Sequence, residues 1–264
     1  MTLYDTYKYI IYDLCDPRAF QYTYLASPWP ASIILFAYIY FIKVCGPRFM
    51  KDRQPYNIDW LMHLYNLSQL YWNTYLFSYI YDIYKAAQEY KDFSFWCMPV
   101  TYSDDNPVSK VVFVAISQYG YNKVFDLCET VFFTLRKKNN QISFIHVYHH
   151  INMILTTWIA CRYGSGGNTI SGGLINSFVH ILMYLYYEMA LLGLDKWLWW
   201  KKYLTQIQII QFILVLIHSF SVFFQPSCYY NTFVTGLAVY QTAGFLYLFL
   251  HWYIKAYRLE KKKK

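Results

Sequence analysis

Along the chain, apolar positions gather into seven long runs separated by short polar stretches. The runs fall at roughly 28–45, 57–80, 111–135, 143–162, 172–192, 204–224 and 232–254. A helix needs about 20 mostly apolar residues to cross a bilayer, and lipid offers the backbone no hydrogen-bond partners, which favours helices over open strands. The pattern therefore predicts an all-α membrane protein with seven transmembrane helices, residues 1–264 forming one polytopic domain.

Four of the runs are interrupted by polar residues at helical spacing. Run three carries Lys123, Asp126, Glu129 and Thr130, with Lys123, Asp126 and Thr130 on one face. A charge at the centre of a lipid-facing helix costs roughly 2.5–3.5 kcal/mol, so three would cost on the order of 8–10 kcal/mol. They are expected to turn inward and pair. One lysine against two carboxylates leaves an acid over, able to orient a histidine or hold it protonated. Run four carries His146, His149 and His150, three imidazoles within one turn. Run five carries Asn176, His180, Tyr184 and Tyr187 as a polar stripe, with Met183 beside it. Run six carries Thr205, Gln208, Gln211 and His218. Buried amides can both donate and accept hydrogen bonds. His63 and His251 stand alone and read as packing residues.

Composition agrees with a membrane protein: 57% of residues are hydrophobic and 14% charged, where a soluble domain carries about 25% charged residues. Mean hydropathy is only +0.16, because the 31 tyrosines score as polar although their rings suit membrane interfaces. The net charge of +8 could point to nucleic acid, but its distribution points to topology. Sixteen of the 23 basic residues follow runs one, three, five and seven. That bias places the C-terminus in the cytosol and the N-terminus on the opposite side. The start, Met1 to Lys8, lacks a basic segment followed by an apolar core, so no cleavable signal peptide is expected. On the non-cytosolic side lie Cys97 and Cys228, near Pro99 and Pro226. An oxidising compartment would allow them to pair; otherwise they are two free loop cysteines.

Two chemistries can use these residues. HxxHH boxes occur in membrane di-iron desaturases and hydroxylases, but such a centre wants several boxes. Here one box is joined by four dispersed histidines, and metal sites need converging ligands. The other chemistry is covalent acyl transfer, since a neutral imidazole attacks thioesters and the acyl-imidazole stays reactive. A rim of Arg136, Lys137, Lys138, Lys201 and Lys202 would suit coenzyme A phosphates, or be ordinary positive-inside residues. A seven-helix receptor or lipid carrier is the non-catalytic alternative.

Several segments occur in one order: Arg53-Gln-Pro-Tyr56, Tyr65-Asn66, Cys97-Met-Pro-Val100, Lys123-Val-Phe-Asp126-Leu-Cys-Glu129-Thr130, His146-Val-Tyr-His149-His150, Asn176 to Tyr184 with its HxxMY, and Thr205-Gln-Ile-Gln208-Ile-Ile-Gln211. In these the chain resembles the very-long-chain fatty acid elongases of the endoplasmic reticulum, animal-type 3-ketoacyl-CoA synthases. One departure is an exchange of acids: the family pattern KxxExxDT is written here with Asp126 and Glu129.

The resemblance implies condensation of a long-chain acyl-CoA with malonyl-CoA to 3-ketoacyl-CoA, CoA and carbon dioxide, ping-pong, with the acyl group carried on His149. It implies that His180 sits at the reacting carbonyl and that His146 and His150 orient groups or move protons. Asn176, Gln208 and Gln211 would hold the thioester region, with Tyr184 in support, and Lys123, Asp126 and Glu129 would tune the imidazoles. It implies helices two to seven around a narrow acyl tunnel, no metal or redox cofactor, and no nucleic-acid partner. Implied partners are the two CoA thioesters, membrane lipid, a second copy of the chain, and other enzymes of the elongation cycle. It adds weight to a Cys97–Cys228 disulfide. Lys261 and Lys262 resemble a dilysine retrieval signal for the endoplasmic reticulum.

Overall fold

The computed structural model describes residues 2–87, 96, 100–102, 107–165, 169–225 and 230–259. Among them there is no β-strand; the elements are α1 (Leu3–Lys8), α2 (Pro28–Tyr40), α3 (Gly46–Met50), α4 (Asp59–Ala87), α5 (Pro107–Phe125), α6 (Cys128–Leu135), α7 (Phe144–Tyr163), α8 (Thr169–Leu191), α9 (Lys201–Ser221) and α10 (Thr232–Ile254), with short 3-10 and π turns between them. Four helical stretches of the described residues are long and apolar enough to cross a membrane: Pro28–Met50, Thr169–Leu191, Asp195–Phe224 and Thr232–Tyr257. These cover the first, fifth, sixth and seventh predicted runs. The second and fourth runs are also helical, as α4 and α7, but carry more polar groups.

The third run differs from the expectation. A single helix over 111–135 is predicted; the structure has two, α5 and α6, meeting at a turn at Asp126–Leu127. At the turn Leu127, Glu129 and Thr130 donate their N–H groups to Val124, Asp126 and Leu127, three residues back. That tighter spacing closes the helix and restarts it. The sequence period survives the turn, which is why the pattern alone reads it as continuous.

Local signals explain several helix starts. Pro28 and Pro30 open α2, where a missing N–H costs nothing. Ser143 caps α7, its hydroxyl accepting from the His146 N–H at 3.3 Å. Asn231 caps α10 by accepting from Phe233 and Val234. At the end of α6, Lys138 donates its N–H to Phe133 O at 2.8 Å, leaving Lys137 with φ of 53°. Glycine is the usual residue at such a stop, and a non-glycine residue there costs about 1–2 kcal/mol.

The chain divides into two compact units, Met1–Ile58 with Pro99–Thr169, and Asp59–Met98 with Ile170–Lys264. In the first, α5 packs on α7, with Gly120 facing Thr157 and Cys161, where a Cβ would make ordinary contact at 3.8 Å. The N-terminal segment is tied to the far end of α7. Arg162, fully buried, donates to the carbonyls of Ile11 and Leu25 and lies over the Trp158 ring. Its own carbonyl accepts from Asp16 N–H. Asp16 in turn takes a two-pronged ion pair from Arg18 at 2.7–3.2 Å. Cys15 lies in this lock, outside the apolar spans. Burial pushes its thiol pKa up, against the pull of Arg162.

In the second unit α4 and α8 run antiparallel, joined by Tyr65–Tyr184 at one level and Tyr84–Ser171 at another. Gly173 brings Ile80 within 3.7 Å of where its Cβ would stand. Helices α9 and α10 pack through Phe212 against Phe245 and Phe249, and Gln206 donates to Tyr253 at 2.7 Å.

Candidate functional site

The first unit gathers the histidine box and the acids. On α7, successive turns place the His146 and His150 rings edge to face, 4.3 Å between centroids, and His149 lies 5.5 Å from His150. His146 Nε2 is 2.8 Å from Thr130 Oγ1 on α6. Thr130 is held in turn by Tyr38 OH at 3.0 Å, and its carbonyl accepts from Thr134 Oγ1 at 2.8 Å. Three helices thus fix one imidazole.

The turn between α5 and α6 sets the charges. Lys123 Nζ donates to Asp126 Oδ2 at 3.1 Å, both side chains almost fully buried. Lys123 also lies 4.9 Å over the Tyr119 ring. A helical carboxylate three residues on satisfies the lysine within its own chain segment, which makes burial affordable. The second acid, Glu129, points its Oε2 at His150 Nε2, 3.9 Å away. The ligand atoms of Glu129, His146 and His150 lie within 4.8 Å of one another, close enough to hold a metal ion. Among the described residues it is one such group, and one of its nitrogens already meets Thr130.

The second unit gathers the remaining set. Asn176, His180 and Tyr184 line one stripe of α8, all buried. The His180 and Tyr184 rings are 5.8 Å apart. Tyr184 OH meets Tyr65 OH at 3.3 Å, Gln69 Nε2 donates to Tyr65 OH at 3.1 Å, and Asn73 Nδ2 donates to Gln69 Oε1 at 3.2 Å. This ladder links α8 to α4. On α9, Gln208 Nε2 lies 3.8 Å from Met183 Sδ, and Gln211 is buried. Tyr187 is partly exposed.

Sequence reasoning missed part of this. His63, read as solitary, pairs through Nδ1 with Glu188 Oε1 at 2.7 Å, and Asn66 Nδ2 donates to Glu188 Oε2 at 3.1 Å. The available signal was spacing: Glu188 continues the Asn176, His180, Tyr184 series by four residues. Gln69 and Asn73 extend Tyr65 in the same way. Arg136, Lys137 and Lys138 follow α6 in the first unit, and Lys201 and Lys202 open α9 in the second. Cys97, Cys228, Lys261 and Lys262 lie outside the described residues.

The chain is similar to known proteins over nearly its whole length. A family model described as ELO: GNS1/SUR4 family matches residues 23–264. A very long chain fatty acid elongase of Aedes aegypti is 35% identical over 251 residues, 94% of this chain and 69% of that protein. Very long chain fatty acid elongase 4 of Homo sapiens is 35% identical over 257 residues, covering 96% and 79%. Very long chain fatty acid elongase 7 of Rattus norvegicus is 36% identical over 246 residues, covering 92% and 85%.

Proposed function

From membership of the ELO: GNS1/SUR4 family, to which this chain belongs, we infer that it is a fatty acid elongase of membranes, condensing a long-chain acyl-CoA with malonyl-CoA. The observation that carries the reading is the first unit's imidazole turn, backed by a buried Lys123–Asp126 pair and a carboxylate facing His150. An imidazole nitrogen of His149 attacks the thioester carbonyl; the carbon–sulfur bond breaks, and CoA leaves as the thiol with the proton the imidazole gives up. Malonyl-CoA then loses carbon dioxide, and the enolate carbon attacks the acyl-imidazole. The nitrogen–carbon bond breaks, the leaving imidazole nitrogen takes up a proton from solvent, and 3-ketoacyl-CoA is released with the histidine restored.

Around that step, His146, held by Thr130, and His150, facing Glu129, order the neighbouring protons. His180, Asn176, Tyr184, Gln208 and Gln211 supply donors for the thioester and enolate oxygens. The basic residues Arg136, Lys137, Lys138, Lys201 and Lys202 hold the CoA phosphates. The reaction needs no metal or redox cofactor. The full assignment is seven spans, the last six enclosing an acyl tunnel, in the endoplasmic reticulum membrane. The segment after the seventh run faces the cytosol, and Cys97 and Cys228 pair on the luminal side. Self-association and contacts with the other enzymes of the cycle complete it.

Intact mass spectrometry of purified protein with long-chain acyl-CoAs, without malonyl-CoA, tests the central step. An adduct of one acyl chain is expected, released by malonyl-CoA and missing in His149→Ala. Folded protein that forms no adduct with any acyl-CoA would remove the acyl-imidazole step. The Glu129, His146, His150 group gives metal-dependent oxidation its one supporting observation. Activity that requires an added transition metal and is abolished by chelation would favour it.

A further inference from the structure

Outside the histidine cluster, the first unit contains a cavity of about 740 Å³ between the α2–α3 segment, the end of α6 and the start of α7. Its rim holds Lys43, Lys51 and Lys137, all exposed. Its floor is apolar, formed by Ile42, Met50 and Val147. Among the described residues none of the three lysines forms a salt bridge. Nearby Arg53 is already engaged: it stacks on Phe49 at 3.8 Å and donates to Tyr56. Lys137 is held at the rim by the left-handed stop of α6.

The cavity continues an exposed apolar surface. On α2 the residues Trp29, Ile33, Phe36 and Tyr40 recur at helical spacing on one face, and 46–70% of each is exposed. Phe36 and Tyr40 stack at 6.1 Å. Three residues beyond Tyr40 comes Lys43, and four further Pro47, both lining the cavity. Phe144, 71% exposed, lines it from α7. An acyl tail lying along the α2 stripe would bring its headgroup to the three ammonium groups, while the lysine stems cover the apolar floor.

We propose that this cavity binds the phosphate headgroup of an anionic membrane lipid. Three unpaired cations at a membrane boundary with an apolar floor match a phosphate attached to hydrocarbon, and basic pockets of this kind recognise anionic headgroups. A free phosphate would leave the floor and the α2 stripe without a partner. The site is adjacent to the chemistry: Thr134 lines it and donates to the Thr130 carbonyl, and Thr130 holds His146. The proposal goes beyond the elongase reading, which gives Lys137 to the CoA phosphates; Lys43 and Lys51, which that reading leaves unassigned, therefore carry the test.

The test is native mass spectrometry of the full-length, delipidated protein in detergent with dioleoyl phosphatidic acid or dioleoyl phosphatidylcholine. Selective retention of phosphatidic acid is expected, falling roughly fivefold for each lysine removed in Lys43→Gln and Lys43→Gln/Lys51→Gln. Lys196→Gln, remote from the cavity in sequence and lining, should leave retention unchanged. Thermal unfolding shows whether each variant is folded; if the double variant is not, Lys51→Gln alone carries the test. Equal retention of phosphatidylcholine, or retention unaffected by the lysine changes, overturns the proposal. So does displacement of phosphatidic acid by millimolar inorganic phosphate, which would make it a free-phosphate site. Displacement by coenzyme A would give the cavity to the substrate's nucleotide instead.

Discussion

Helix α7 carries a buried polar cluster at each end, and the two are built differently. At its C-terminal end Arg162 ties distant chain together: its guanidinium reaches the Ile11 and Leu25 carbonyls and lies against Trp158 and Tyr163. Beside it Arg18 grips Asp16 with two prongs and also donates to Ser109 Oγ at 3.0 Å. At the N-terminal end the imidazoles meet one another at ring-contact distance, and Glu129 stands 3.9 Å from His150, beyond a hydrogen bond. Both clusters pay the desolvation of polar groups. The first converts it into fixed geometry that holds the N-terminal segment. The second gathers imidazoles beside a threonine hydroxyl and a carboxylate, groups that can pass protons and, as neutral imidazole, attack a carbonyl. The difference lies in the groups: a guanidinium that keeps its charge suits a fixed link, and an imidazole that can give up its proton suits chemistry.

The widest separation of the two ends comes from His149→Ala. Condensation should fall on the order of 10⁴-fold or more, as removal of a nucleophile does, with little change in thermal unfolding; initial rates and melting on one preparation check it. Arg162→Leu should do the reverse. Two buried carbonyls lose their donor, costing about 1–3 kcal/mol each, so the melting temperature drops while the surviving folded fraction still forms the acyl adduct.

Lys123→Met sharpens the comparison further. It removes the cation paired with buried Asp126, and breaking such a pair costs about 3–5 kcal/mol. Adding Asp126→Leu should restore most of the stability but not the condensation rate. Recovery of both would make the pair purely structural. The smallest effect is expected from Tyr38→Phe, which removes one bond to Thr130, worth about 0.5–1.5 kcal/mol. A loss confined to kcat, with KM and melting almost unchanged, would show that Thr130 acts through His146.

Much of this was legible in the chain. The seven apolar runs correspond to helical segments, and four reach membrane-spanning length and hydropathy among the described residues. The Lys123–Asp126 pairing follows from the cost of lone charges in lipid. The turn at Asp126–Leu127 was not legible, because Lys123, Asp126 and Thr130 keep helical spacing whether or not the helix is broken. Nor was the Arg162 lock, in which residue 162 meets residues 11 and 25; as a sequence position Arg162 is only a basic residue at the end of the fourth apolar run.

What the sequence determined by itself is local: hydrophobic length sets the spans, helical period sets the polar faces, and residue chemistry marks the imidazoles as nucleophile candidates. These depend on neighbours within a turn or two. Tertiary structure decided the partners, including His63 with Glu188 across 125 positions, Thr130 with His146, and the three lysines around one cavity. Such pairings depend on how helices pack, and packing is fixed by the whole set of side-chain shapes and close approaches at once. No single stretch of the chain contains it.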